Sequence, residues 1–163
     1  MNIGLDMMGG DFAPQEAVKG VAEFLATNAD DVHLTLIGDE TQIKTHIAAQ
    51  HIPADKYTIV HTTQVIEMNE HPTKALKEKK DSSIAIGFYL LATGKTDAFI
   101  SAGNTGAMMV GSLFSIKAIE GVLRPTIGAY MPREDGTLGL LVDVGLNADC
   151  KPEQLNQFAI MGT

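Results

Sequence analysis

The chain has 163 residues, of which 45% are hydrophobic and 20% are charged, and its formal net charge is −8. This composition is typical of a globular protein with a packed core and does not fit a disordered segment. A strongly negative chain is a poor default partner for nucleic acid, because the phosphates require a positive surface. The length fits one domain or a piece of a longer protein.

The single cysteine, Cys150, cannot form an internal disulfide, and the five histidines are scattered without the spacing of a zinc site. The N-terminus lacks the basic segment and apolar core of a signal peptide. No apolar run approaches the roughly 20 residues that span a bilayer. We therefore expect a soluble, cytoplasmic protein with no metal site and no cofactor.

Strand and helix signals alternate through the first two thirds of the chain. Apolar and β-branched runs predict strands at 2–5, 32–39, 57–62 and 97–101. Helical spacing of apolar residues predicts helices at 14–28, 40–50, 82–94 and 105–119, and 71–80 is interpreted as a short basic helix or loop. Repeated strand, loop and helix units are typical of a parallel α/β sheet.

The pattern changes after residue 124. Apolar runs at 125–131 and 138–144 are joined by a polar Asp-Gly connection, which predicts an antiparallel hairpin added to the sheet. A final helix begins near Pro152 and has no following element. We predict a layered α/β/α fold, mostly parallel with one antiparallel hairpin. It would form a single α/β unit over residues 1–163, which we interpret as a piece of a longer protein.

Three glycine-bearing loops follow strand signals, at the position where α/β sheets bind ligands. Their sequences are DMMGGD, SAGNTG and VDVGLNAD. In the second loop, Asn104 or Thr105 can cap the next helix, whose N-terminus attracts an anion such as phosphate. Alternatively, Gly103 and Gly106 merely form a tight turn. A Walker A lysine and the dinucleotide fingerprint are both missing from the sequence, so neutral dipoles would hold the phosphate.

The other two loops allow similar alternatives. Gly9 and Gly10 form a turn, which we favour over Mg²⁺ binding by the carboxylates of Asp6 and Asp11. The third loop carries Asp143, Asn147 and Asp149, followed by Cys150 beside Lys151. Cys150 is a candidate nucleophile with a lowered pKa, but a helix-cap role for this region is favoured.

The lysine cluster formed by Lys74, Lys77, Lys79 and Lys80 is unusual in an acidic chain. It is either a solvated helix face or a docking patch for an acidic partner or a phosphorylated arm.

The chain resembles the bacterial phosphate acyltransferase family of the PlsX type along its whole length. Five segments carry the resemblance in the family's order: GLDMMGGDFAP, KKDSSI, DAFISAGNTGA, RPTIGAYMP and VDVGLNADCKPEQLNQFAIMG. Met7 and Leu146 depart from the usual motifs, since both stand where alanine is usual. Members of the family are about twice this length, so the resemblance implies that residues 1–163 are the N-terminal half of a longer enzyme.

The resemblance implies transfer of a long-chain acyl group from acyl-carrier protein to inorganic phosphate. The acyl phosphate would then feed a glycerol-3-phosphate acyltransferase in phospholipid synthesis. The implied fold is that of the isocitrate/isopropylmalate dehydrogenases and phosphotransacetylase, usually as a homodimer in the cytosol with peripheral contact to the inner membrane. Two alternatives remain: a phosphotransacetylase-like acyl-coenzyme A:phosphate acyltransferase, and a non-catalytic phosphate- or nucleotide-binding module.

The resemblance and the loops together give a set of predicted site residues. The predicted catalytic residues are Asn104, Thr105, Lys80 and Asp143. The predicted substrate-binding residues are Asp6, Gly9, Gly10, Asp11, Ser82, Ser83, Ser101, Gly103, Gly106 and Asn147. Replacing Asn104 with alanine is expected to lower turnover at least tenfold with the fold unchanged.

Overall fold

The computed structural model describes residues 1–27 and 31–163, so Asn28 at the end of the first predicted helix lies outside the described residues. Contacts divide the described chain into two compact units, Met1–Ile116 and Lys117–Thr163. The single α/β unit over 1–163 stays a prediction. Within the described ranges, no helix combines the length and apolar character needed to cross a bilayer.

Four parallel strands form the sheet of the first unit in the order β3-β2-β1-β4. They are β1 (Asn2–Asp6), β2 (His33–Gly38), β3 (Tyr57–His61) and β4 (Ala98–Ile100). The chain leaves β3 at one edge and returns as β4 on the far side of β1. The strand order therefore reverses between β1 and β4, and α/β sheets bind ligands at such a reversal.

Helices cover both faces of this sheet, which confirms the layered α/β prediction. They are α1 (Gln15–Thr27), α2 (Glu40–Ala48), α3 (Pro72–Glu78), α4 (Ser83–Ala92) and α5 (Thr105–Ser115). Leu34 and Leu36 of β2 share a buried cluster with α1 and α2. A second buried cluster joins Ile84 and Phe88 of α4 to α5, with Phe99 of β4 packed against it.

Helix α5 ends at Ser115, four residues before the predicted end at residue 119. Lys117 adopts a φ of 71°, in the left-handed region, so the helix cannot continue through it. The apolar residues that follow misled the prediction, because hydrophobic spacing does not report a backbone turn.

The second unit contains an antiparallel pair of strands and one helix, β5 (Gly128–Pro132), β6 (Leu138–Val142) and α6 (Pro152–Met161). The hairpin prediction is confirmed, with Gly128 opposite Val142. The expectation that it joins the main sheet is wrong, because β5 and β6 form a separate two-stranded sheet. Turn chemistry fixes how two strands pair with each other and carries no information about a third strand.

Candidate functional site

The loops that follow β1 and β4 meet at the point where the strand order reverses. Asp6, the last residue of β1, is buried. Its Oδ2 accepts a 2.6 Å hydrogen bond from the hydroxyl of Ser101, and its Oδ1 accepts a 3.0 Å bond from the Met8 N–H. The Ser101 hydroxyl in turn accepts the Gly103 N–H at 2.9 Å. A single carboxylate therefore holds the first residues of both loops.

Glycine is needed where the two loops touch. A Cβ on Gly9 would lie 2.6 Å from the backbone nitrogen of Gly103 and 2.7 Å from Oδ2 of Asp6. Real Cβ atoms do not approach backbone this closely, so only glycine fits between the loops. Gly10 follows with a φ of 102°, which other residues rarely adopt.

Asn104 is 5% exposed, and both the oxygen and the nitrogen of its side-chain amide hold the start of α5 in place. Its Oδ1 accepts the Ala107 N–H at 2.9 Å and so caps the helix. Its Nδ2 donates toward three backbone carbonyls at 3.0–3.3 Å, those of Glu67, Met68 and Glu70. Both polar groups of the side chain are therefore engaged within the protein.

The cap leaves the earliest N–H groups of α5 for another acceptor. Thr105 and Gly106 precede the capped Ala107, and first-turn N–H groups have no partner within their own helix. Thr105 is exposed, whereas Gly106 packs closely, since an added Cβ would lie 2.5 Å from Cγ of Pro72. With the positive end of the helix dipole, these N–H groups suit an anion.

The remaining predicted residues of the first unit have different environments. Ser82 is fully buried and its hydroxyl accepts the Ala85 N–H at 3.3 Å, so it caps α4. Ser83 is buried in the first turn of that helix. Asp11 and Lys80 are exposed. The substrate-binding roles of Asp11, Ser82 and Ser83 and the catalytic role of Lys80 stay predictions.

The sequence interpretation missed the segment that holds Asn104. Residues 67–70 supply the three carbonyls, and Glu70 also accepts a 2.6 Å hydrogen bond from Lys79. The hydrogen bond from Lys79 and, to a smaller extent, the one from the Glu67 N–H lower the pKa of Glu70 below its ordinary value. Residues 67–70 are mostly polar and show no hydrophobic periodicity, so nothing in the sequence predicts their contact with Asn104. The only hint is the opposite charge of residues 70 and 79.

In the second unit, Asp143 orders the loop after β6. Its Oδ2 accepts the Asn147 N–H at 2.6 Å, and its Oδ1 accepts those of Ile127 and Leu146 at 3.3 and 3.4 Å. Asn147 donates from Nδ2 to the Pro125 carbonyl at 3.0 Å. Cys150 donates from Sγ to the Asn147 carbonyl at 3.6 Å, so it belongs to the same loop.

Asp143 is predicted to make the stability of the second unit depend on pH. Partial desolvation raises the pKa of Asp143, but the N–H groups of Asn147, Ile127 and Leu146 outweigh it, so the pKa lies below the ordinary value. A lowered folded pKa stabilises the protein above the unfolded pKa of about 3.9, and the contribution disappears as the pH falls through the folded pKa.

Thermal unfolding of wild type and Asp143→Asn from neutral pH to about pH 2 measures this contribution. Wild type should be the more stable protein at neutral pH, and the gap should close as the pH falls below about 4. Asp149→Asn is the matched control, because Asp149 is an exposed aspartate of the same loop. A gap that is constant over the whole range would contradict the prediction.

The fold defines a class of protein, because the chain is similar in fold to phosphotransacetylases. The phosphotransacetylase from Streptococcus pyogenes superimposes with a TM-score of 0.71 at 19% identity, covering 98% of this chain and 51% of that one. The EutD phosphotransacetylase from Staphylococcus aureus gives 0.65 at 18% identity, with the same coverage of 98% and 51%.

Sequence comparison assigns the chain to a family. Residues 1–163 match the family described as fatty acid synthesis protein, and the chain belongs to it. The phosphate acyltransferase of Caldicellulosiruptor bescii is 44% identical over 163 residues, which are 100% of this chain and 48% of that protein. The phosphate acyltransferase of Bacillus subtilis is 42% identical with the same coverage of 100% and 48%. The resemblance stated from the motifs is confirmed, and the chain spans about half the length of these relatives.

Proposed function

We propose that the protein containing this chain transfers a fatty acyl group from an acyl-carrier-protein thioester to inorganic phosphate. The observation that carries the proposal is the junction of the loops after β1 and β4, where Ser101 donates to Asp6 beside the N-terminus of α5. The names of the relatives, phosphate acyltransferase, support the reaction class.

The reaction needs orientation more than strong acid or base catalysis. An oxygen of hydrogen phosphate attacks the thioester carbonyl carbon, the C–S bond breaks, and the phosphate proton passes to the departing sulfur. The products are an acyl phosphate and the free carrier thiol. Holding both reactants in place can account for about 7–11 kcal/mol of the barrier. The thiolate leaves readily because its reference pKa is only about 8.5.

The described residues divide this work between binding and positioning. The N–H groups of Thr105 and Gly106 hold the phosphate or the carbonyl oxygen as it becomes anionic, and a donor of this kind is worth roughly 3–4 kcal/mol. Asn104 is a positioning residue, because its contacts aim the first turn of α5. The hydrogen bond from Ser101 to Asp6 holds the loops after β1 and β4 beside each other.

The acidic acyl-carrier protein would dock on the lysines of α3. Lys74 and Lys77 are exposed and suit this role. Lys79 does not, because its ammonium lies 2.6 Å from a Glu70 carboxylate oxygen and 2.6 Å from the Val65 carbonyl. Lys79 therefore holds the segment that anchors Asn104, and the docking patch is narrower than the sequence cluster.

Reversing the charge of both exposed lysines, as Lys74→Glu with Lys77→Glu, should raise the apparent KM for acyl-carrier protein about tenfold at low salt. The same variant should lose most of the salt dependence of KM, because screening acts on the charges that were removed. Steady-state kinetics at two ionic strengths measure both effects. Lys44→Glu with Lys95→Glu, at exposed positions outside α3 and outside the loops, is the control with the same change of charge. An equal rise in KM for both double variants would contradict docking on α3.

The proposed reaction is tested by mixing the complete protein with palmitoyl-carrier protein and phosphate and trapping the product with hydroxylamine. Formation of the hydroxamate only when phosphate is present supports the proposal. Faster reaction with palmitoyl-coenzyme A would favour the phosphotransacetylase-like alternative. Phosphate binding without any hydroxamate would favour a non-catalytic module. The homodimer, the cytoplasmic location, the peripheral membrane contact and the downstream acyltransferase stay predictions.

A further inference from the structure

A groove runs along α1 and opens at the junction of the two loops. We call it the α1 groove; its volume is about 510 Å³, within the range of ligand pockets. One wall is the face of α1 that carries Ala17, Gly20 and Phe24. The other wall is formed by Ile3 and Leu5 of β1, and Ile100 of β4 also lines it.

The polar groups of the α1 groove lie at one end. Asp6, Asp11, Glu16 and Ser101 line the groove; Asp6 ends β1, Asp11 and Ser101 lie in the two loops, and Glu16 lies in the first turn of α1. At the opposite end the lining consists of apolar side chains, among them Ile3, Leu34 and Phe24. A ligand that fits has a polar head at the loops and an unbranched apolar tail.

Small residues of α1 make the space for that tail. Ala17 and Gly20 line the groove three residues apart, which places them along one side of the helix. A Cβ added to Gly20 would meet nothing within 4 Å, so the groove is open beside it. From Glu16 to Phe24 the helix rises about 12 Å, and Gly20 lies about 6 Å along that path.

We infer that the α1 groove binds the part of the substrate acyl chain nearest the thioester. The inference rests on the proposed function, since the polar end of the groove is the Asp6–Ser101 junction where the carbonyl would react. The α1 groove would be a second part of the substrate site, and α1, rather than the loops, would discriminate between acyl chains of different length.

Gly20→Leu in the complete protein is the test, because the new side chain enters open space and fills the groove halfway along. The ratio of kcat/KM for palmitoyl- to hexanoyl-carrier protein should fall at least about tenfold, since each methylene excluded from an apolar pocket weakens selection. Ala26→Leu adds bulk to the same helix at an exposed position outside the groove, so it should leave the ratio unchanged.

A ratio unchanged in Gly20→Leu, or an equal loss of activity on both substrates, would overturn the subsite. The second result would indicate that other parts of the protein pack in the groove. A palmitoyl thioester with a mid-chain diazirine gives an independent measurement on wild type, even if the variant does not fold. Labelling of β1 or α1 supports the inference, and labelling confined to other segments overturns it. Failure of wild type to form any acyl phosphate would instead contradict the proposed reaction.

Discussion

Gly9→Ala is expected to remove most of the activity of the complete protein and to destabilise its fold. The added methyl group would lie 2.6 Å from the Gly103 nitrogen and 2.7 Å from the Asp6 carboxylate, so the two loops must separate. A displacement of about 1 Å at a site that works by orientation can cost roughly 100-fold in rate. Overpacking of this kind typically costs about 1–3 kcal/mol of unfolding free energy. Turnover of palmitoyl-carrier protein and thermal unfolding measure the two effects.

Gly4→Ala is the matched control for this prediction. Gly4 lies in the middle of β1, and an added Cβ would meet its nearest atoms, in Phe99 and Thr96, at 3.4 Å, an ordinary contact distance. The control should keep turnover close to that of wild type. Wild-type turnover in Gly9→Ala would mean that the close approach of the loops has no part in the reaction.

Local signals in the sequence were sufficient to locate the two loops. Each combines a short apolar run with glycine and a polar residue, and parallel strands bring their carboxyl ends to one edge of a sheet. The Asp6–Ser101 hydrogen bond joins residues 95 positions apart, so no local pattern could predict it. The sequence predicts only that Asp6 and Ser101 lie at the same edge of the sheet, where the parallel strands end.

Long-range contacts explain why other parts of the site were missed. The sequence predicts Asn104 or Thr105 as the cap of α5, and the bond from Ala107 shows that it is Asn104. The contacts of Asn104 with residues 67–70 depend on how α3 and α5 pack, which the sequence does not reveal. Lys79 was grouped with the other lysines because sequence does not reveal burial. The α1 groove was missed because alanine and glycine on a helix are consistent with either tight packing or open space.

Asn104→Ala is expected to lower both turnover and stability, because the structure shows that Asn104 holds the start of α5. Loss of the cap should cost about 1 kcal/mol. Loss of the Nδ2 donor also removes part-buried hydrogen bonds to residues 67–70, and a bond of this kind contributes about 0.5–1.5 kcal/mol. Turnover should fall at least tenfold, as the sequence predicts. The melting temperature should fall with it, in place of the unchanged fold that the sequence analysis expected.

Asn104→Asp separates the contribution of the helix cap from that of the Nδ2 hydrogen bonds to residues 67–70. The carboxylate keeps an acceptor for the Ala107 N–H but places a negative oxygen against the carbonyls of Glu67, Met68 and Glu70. If anchoring of α5 to residues 67–70 positions the anion site, Asp should be as damaging as Ala. Ser112→Ala is the control, since its hydroxyl donates only to Met109 within α5 itself. A loss of turnover in Asn104→Ala with an unchanged melting temperature would instead make Asn104 a ligand of the substrate, because a positioning residue cannot act without altering what it holds.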